Sequence, residues 1–381
     1  MKKAVLSVAI AIWSLLALLI LAVLILGLSG AGAPGWVQKL PGYGATWKGD
    51  SSMVVFGSNV MLIKEDSFPL AGIGNLSVTG TYQSICVTLN DTDRLTVRHY
   101  DYDAADGFVS DTAGGTLGIS TQKRLMINLF SINVNNWPRL EISVPRSYAD
   151  KISFTSTSGS VNIEENAAWG DTSLRSTSGS VRVKGALSCG GLQVSTTSGS
   201  IRFEYDVTSG DTQFKSTSGS VNASGRLNCG DLWISTTSGS IRLNGEITGG
   251  AVDVGSTSGG VHIDRPVRCE RLSVQTTSGG HRLSDCDVSG PVNLKSVSGG
   301  IRTGHIIGSE ITCKSTSGGQ TLGALEAKGA ITLNAVSGRI QADAVRSPEH
   351  TIKTTSGGIT VGELTGAGEV KSASGRVRTG P

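Results

Sequence analysis

Aromatic residues are scarce in this chain of 381 residues, which carries six Trp, six Tyr and seven Phe. Glycine, at 52 residues, stands near twice its usual ~7%. That combination argues against a close-packed helical or α/β globule built on large side chains. Charge is also sparse, at 17% of residues, and 33 Lys and Arg nearly balance 30 Asp and Glu for a net of +3. With no basic block and no nucleic-acid motif, nucleic acid is not an expected partner. There is no Cys pair at zinc-ligand spacing and no Gly-Gly-x-Gly-x-Asp calcium repeat, so no cofactor or metal is expected. Disorder is not the alternative, because 38% of residues are hydrophobic and Val, Ile and Leu are spread evenly along the chain.

Only one long apolar run exists, from Ala4 to Leu28, preceded by Lys2 and Lys3. About 20 such residues span a bilayer. Ala31-Gly32-Ala33 offers a signal-peptidase site, but the run exceeds an ordinary signal h-region and Pro34 would follow the cut. The expectation is an uncleaved single-pass anchor in residues 1–29, with Lys2 and Lys3 cytoplasmic and the rest outside the cell membrane. Trp36, Tyr43 and Trp47 follow as interfacial aromatics, within a linker over residues 30–49.

Internal repetition determines the expected fold. The Ser of a Ser-Gly pair recurs at 158, 178, 198, 218, 238, 258, 278, 298, 317, 337, 356 and 374. Apolar residues stand four before it (Phe154, Leu174, Val194, Phe214) and three after it (Val161, Val181, Ile201, Val221). Both flanks alternate with polar residues, which is strand period. Gly allows the bend, and a second Gly-rich turn such as Gly190-Gly191 or Gly249-Gly250 returns the chain. The pattern predicts an all-β chain: a right-handed, single-stranded β-solenoid of about twelve 20-residue coils over residues 151–381, with two strands and two turns per coil. At ~4.8 Å per coil the rod is on the order of 58 Å long.

Cys189, Cys229 and Cys269 stand 40 apart, so a 40-residue coil is the alternative; 20 is favoured because each unit already holds strands and turns. Residues 50–150 are β-rich but not repetitive, with strands expected at 53–56, 84–89, 95–98 and 140–145, and they suit a cap over the solenoid's open end. The stretch from Ala104 to Gly118 reads as a loop, with Asp103, Asp106 and Asp111 on solvated turns.

The strand Leu140-Glu141-Ile142-Ser143-Val144-Pro145, followed by apolar-x-Ser/Thr-x-Ser-Gly-Ser/Gly-Val/Ile-x-apolar units, resembles the bacterial putative-adhesin domain family of unknown function, of LiaG-like type. The resemblance spans residues 50–381 and implies an anchored or exported envelope protein with a β-solenoid domain and no catalytic residues to carry over. Family members often carry an acidic residue after the Ser-Gly, where this chain has Ser160, Ser180, Ser200, Gly260 and Gly280.

Catalysis on a β-helix needs grouped acids and bases. Glu164, Glu204, Asp253, Asp264, Asp285, Asp287, Glu310 and Asp343 share no column; Asp264 with Asp285 and Asp287 is the nearest approach to a cluster. His281 replaces a column Val or Ile, and a buried neutral His bonded to a carbonyl is expected in preference to a metal ligand with His262 or His305. Repeated Ser such as Ser158, Ser198 and Ser238 read as a hydroxyl ladder satisfying backbone at the bend.

What remains is a surface. Four residues past each Ser the outward column reads Asn162, Arg182, Arg202, Asn222, Arg242, His262, Arg282 and Arg302. The five Arg would stack as a ridge of planar donors able to face phosphate or carboxylate groups. The expected function is non-catalytic binding or scaffolding at the cell envelope, with an anionic envelope polymer or a membrane protein as partner. An accessory of envelope-stress sensing or transport is the alternative, and a polysaccharide-active enzyme the third.

Overall fold

The computed structural model describes residues 52–56, 60–101, 107–121, 125–130 and 137–380. The expected anchor and linker lie outside these residues. Among the described residues no helix is long and apolar enough to cross a membrane. Two units are distinguished. One contains a parallel two-stranded pair, Ser52–Phe56 with Leu125–Phe130. The other, whose described residues are 62–101, 107–121 and 138–380, is an all-β solenoid, and all that follows concerns it.

Hydrogen-bonded register confirms the 20-residue coil: Val161 pairs with Val181, Val181 with Ile201, Ile201 with Val221 and Val221 with Ile241, always in parallel. The Ser-Gly turns, twelve in number, bound about eleven complete turns. The earlier coils have three strands, not the expected two: Thr172–Ser176, Val181–Val183 and Leu187–Cys189 make one circuit before Leu192–Thr196 begins the next, whereas further along some of these segments join, as in Ile247–Ser256 and Ile340–Thr354. The unforeseen bend falls between the two short strands, at Glu165, Gly185, Tyr205, Gly225, Gly245 and Arg265 in successive coils. With Gly at three of these six bends and Glu, Tyr or Arg at the others, no periodic turn signal shows there. Three residues are also too few to display alternation.

Inward side chains alternate along the strands of the repeat coils, as in Thr172–Ser176 and Leu192–Thr196, so the core is one continuous column of Val, Ile and Leu, with Phe154, Phe203 and Phe214 fully buried. Phe203 and Phe214 stack at 4.9 Å between ring centroids, filling one level of the interior. Each fully buried aliphatic side chain contributes about 1.5–3 kcal/mol. The same few residues repeat from coil to coil, so a fault in register would expose many of them at once.

The Gly of each Ser-Gly pair is required by stacking rather than by bending. Positive φ is confined to Gly72, Gly114, Gly115 and Gly366 among the described residues. At Gly179, Gly199, Gly219 and Gly239 a Cβ would instead overlap the carbonyl of the Gly one coil earlier.

The hydroxyl ladder is also displaced from its expected place. Ser158, Ser198 and Ser238 are exposed. The buried ladder stands two residues earlier: Ser176 Oγ accepts the Gly179 N–H at 2.9 Å and donates to the Gly159 carbonyl at 2.9 Å. Thr196, Ser216, Thr236 and Ser256 repeat both bonds. Inward orientation at the end of the long strand places these hydroxyls where the turn's polar groups need a partner.

The parallel ladder extends back into the cap region, where Asn75–Gly80 pairs with Lys151–Ser156 and Ser84–Asn90 with Val161–Ile163. Gln83 there stands in for a repeat Gly: its carbonyl accepts from Ser156 Oγ at 3.0 Å. Its side chain joins a buried cluster in which Gln83 Nε2 and the Tyr82 hydroxyl both donate to Asp101 Oδ2, at 3.0 and 2.6 Å. The expected strands at 84–89, 95–98 and 140–145 are present. The expected loop at Ala104 to Gly118 is instead largely a hairpin, Phe108–Ala113 antiparallel to Thr116–Thr121. Gly114 and Gly115, with φ of 57° and 73°, supply the two left-handed positions of its tight turn.

Candidate binding surface

Short strands of three residues have one outward position each, so every coil contributes a single side chain to this face. Register pairs Asn162 with Arg182, Arg182 with Arg202, Arg202 with Asn222, Asn222 with Arg242, Arg242 with His262, His262 with Arg282 and Arg282 with Arg302. Arg182, Arg202, Arg242, Arg282 and Arg302 therefore share one outward column. Arg202, Arg242, Arg282 and Arg302 are exposed and Arg182 is half-buried. Arg182 lies 3.9 Å from Glu204, a long ion pair. For the other four no ion pair is formed among the described residues, so their guanidinium donors face solvent.

The column beside this ridge changes character along the rod. In the first coils it is Ser, and the first hydroxyls serve the next coil: Ser160 Oγ accepts the Ser180 N–H and Ser180 Oγ the Ser200 N–H, both at 3.2 Å. From residue 260 the column is Gly260, Gly280, Gly300 and Gly319. The N–H groups of Gly280, Gly300 and Gly319 therefore have no side-chain hydroxyl in this column one coil earlier. A groove of about 370 Å³ opens over these glycines, walled by His262, Arg282 and Arg302. The His262 ring folds against Gly260, where a Cβ would stand 3.2 Å from its Cε1. Missing side chains, backbone N–H groups and two guanidiniums thus coincide at one end of the ridge.

The carboxylates do not gather. Asp264 lies on the outward column beyond the ridge strand, Asp285 at the following corner and Asp287 on the third strand, opposite Arg268. Two corner carboxylates serve the backbone of the next coil: Asp206 Oδ1 accepts the Arg226 N–H at 2.8 Å and Asp285 Oδ1 the His305 N–H at 2.9 Å. The Arg226 N–H and side chain hold Asp206 below the usual carboxylate range. Among the described residues no group of three or more His, Cys, Asp or Glu is placed to hold a metal.

His281 is buried, as expected, and its Nε2 lies 2.8 Å from Thr276 Oγ1. Burial pushes its pKa down to about 4, partly offset by the Lys295 backbone. His262 and His305 belong to other columns, the ridge and the corner.

A second cationic column was missed in the sequence reading. Arg175, Lys215, Lys295, Lys314, Lys353 and Lys371 share the outward line two residues before the Ser-Gly turn's first Thr or Val. Its signal was present, since Arg175, Lys215 and Lys295 lead the Ser-Thr-Ser-Gly and Ser-Val-Ser-Gly units.

No curated protein matches the chain. Three solved structures resemble it distantly. A putative cell adhesion protein from Clostridium sporogenes is 10% identical with a TM-score of 0.31, over 49% of this chain and 99% of that one. A putative adhesin from Bacteroides fragilis is 15% identical with a TM-score of 0.26, over 83% and 96%. A putative lipid binding protein from Parabacteroides distasonis is 15% identical with a TM-score of 0.28, over 86% and 99%. Similarity this low says nothing about what this chain binds. The Toastrack DUF4097 family profile, in contrast, matches residues 73–284, 205–321 and 292–379, which cover the repeats and the strands ahead of them, and the chain belongs to that family.

Proposed function

We propose that the protein is a non-catalytic binding protein of the cell envelope, held by its N-terminal segment to the membrane with the solenoid outside. Its ligand is an anionic envelope polymer, or the anionic face of a membrane protein, running along the column Arg182, Arg202, Arg242, Arg282 and Arg302. The observation that carries this reading is the groove at the end of the ridge, where Arg282 and Arg302 stand beside a column of glycines with no side chains to cover the backbone. Guanidiniums bind phosphate and carboxylate oxygens bidentately, and N–H groups along a concave backbone add further donors. The dispersal of Asp264, Asp285 and Asp287 over different columns supports a surface without acid-base chemistry.

The test is binding of the full-length protein to polyglycerol phosphate and to polyglutamate, measured at increasing salt. Binding should weaken steeply as the Debye length falls from about 10 Å at 0.1 M to about 3 Å at 1 M. Changing all five Arg to Gln should abolish it while leaving the melting temperature nearly unchanged, because exposed side chains contribute less than about 0.5 kcal/mol each. Equal binding by the five-Gln protein, at the same salt dependence, would show the ridge to be merely solvated.

A further inference from the structure

We propose that a second groove, on the face built by the five-residue strands, binds a neutral, extended oligosaccharide. The groove has a volume of about 620 Å³ and runs over several coils between an outward column and a corner. In the outward column Gln193 pairs in register with Gln213 and Gln213 with Trp233. The corner carries Asp171, Asp211 and Asp231. None of these residues belongs to the Arg ridge, and the inference does not depend on the ridge having a ligand.

Trp233 is the first indication. It is 38% exposed, in a column whose neighbouring members are Gln213 and Asp253. An indole in an outward polar column adds nothing to the core and costs apolar exposure. Its flat face is suited to the C–H face of a pyranose ring, with the N–H left for a hydroxyl.

The amides form a directed relay toward it. Arg175 donates to Gln193 Oε1, and Gln193 Nε2 donates to Gln213 Oε1 at 3.1 Å. Gln213 Nε2 is thereby the terminal donor, one coil from Trp233, and the upstream bonds polarise it. The carboxylates are half-committed. Asp211 Oδ1 accepts the Asp231 N–H at 3.1 Å and Asp231 Oδ1 the Ala251 N–H at 2.7 Å. Their Oδ2 atoms keep lone pairs for sugar hydroxyls, whereas Asp171 Oδ2 is taken by Lys151 at 3.0 Å.

Amide donors and carboxylate acceptors therefore recur at multiples of the coil spacing of ~4.8 Å, with the single aromatic platform of Trp233 at one end of the amide relay. That spacing is close to the length one hexose adds to an extended chain. The acidic edge excludes anionic sugars by repulsion and selects a neutral chain, opposite in sign to what the Arg ridge attracts.

The experiment titrates the full-length protein with cellohexaose, chitohexaose and hexagalacturonate, following tryptophan fluorescence and heat. At least one neutral hexasaccharide should bind with a saturable change in emission, indifferent to salt between about 0.1 M and about 1 M. Trp233→Ala, with an unchanged melting temperature, should weaken that binding about tenfold or more, and Gln213→Ala should weaken it as well. The five-Gln ridge protein should bind the neutral sugar as the wild type does. Absence of binding by both neutral hexasaccharides, or undiminished binding by Trp233→Ala, would overturn the proposal. Equal binding of hexagalacturonate would overturn the assignment to neutral chains.

Discussion

The carbonyl of Gly199 fills the space that a side chain on Gly219 would need. Both residues belong to a line of glycines stacked coil on coil, and the overlap is with backbone, which no rotamer change relieves. Gly219→Ala should therefore lower stability by about 3 kcal/mol, the upper end of ordinary overpacking. Gly191→Ala is the control: its Cβ would lie 3.5 Å from Asp171 Oδ1 and 3.8 Å from the Asp211 carbonyl, which is ordinary contact. Urea midpoints of the two variants should separate clearly.

Ser216 and Ser218 make a second contrast within one turn. Ser216 Oγ accepts the Gly219 N–H at 2.9 Å and donates to the Gly199 carbonyl at 3.1 Å, whereas Ser218 is exposed. Ser216→Ala leaves two buried backbone groups unmet and should cost about 1–3 kcal/mol. Ser218→Ala should fall within about 0.5 kcal/mol of wild type. The same urea titration distinguishes them.

His281 gives the protein a pH dependence. Burial lowers its pKa from 6.5 to about 4. Above pH 6.5 the residue is neutral in both folded and unfolded chains and has no effect. As pH falls from 6.5 toward 4, the unfolded chain takes up the proton and the folded one does not, so stability declines by up to about 3 kcal/mol. His281→Val, which restores the residue type of Val261 and Ile301 beside it, should abolish that part of the decline. Thermal melting at pH 7.5, 6, 5 and 4 checks it.

Cys189, Cys229 and Cys269 should remain unlinked even in an oxidising compartment. The 20-residue register puts Ser209 between the first two, with its hydroxyl 3.7 Å from Cys229 Sγ, and pairs Gly249 with Cys269. Successive cysteines are thus about 9.6 Å apart, beyond the Cα separation that a disulfide permits. Burial also pushes the Cys189 and Cys269 thiols up to about 12, which should make both slow to alkylate until the chain unfolds. Peptide mapping by mass spectrometry, with and without denaturant, reads both outcomes; a Cys189–Cys229 link would contradict the register.

Periodicity was fully legible in the sequence because a solenoid places residue i on residue i+20, making every column a simple subsequence. Val161, Val181 and Ile201 announce a buried column, and Arg182, Arg202 and Arg242 an outward one, before any coordinate is known. The third strand was not legible, because Leu187–Cys189 is too short to alternate and its preceding bend is Gly185 in one coil, Tyr205 in the next. Nor could the sequence say which hydroxyl of Ser216 and Ser218 turns inward, since that depends on where the long strand ends. The role of the stacked glycines was decided by contact between coils: backbone overlap excludes a side chain where local φ does not. Tertiary structure alone also created the two grooves. Each is a volume between columns, one left open where Gly260, Gly280 and Gly300 lack side chains, the other bounded by Trp233, Gln213 and Asp231. A volume of that kind depends on how far apart the folded chain holds two columns, and no single column of residues encodes that distance.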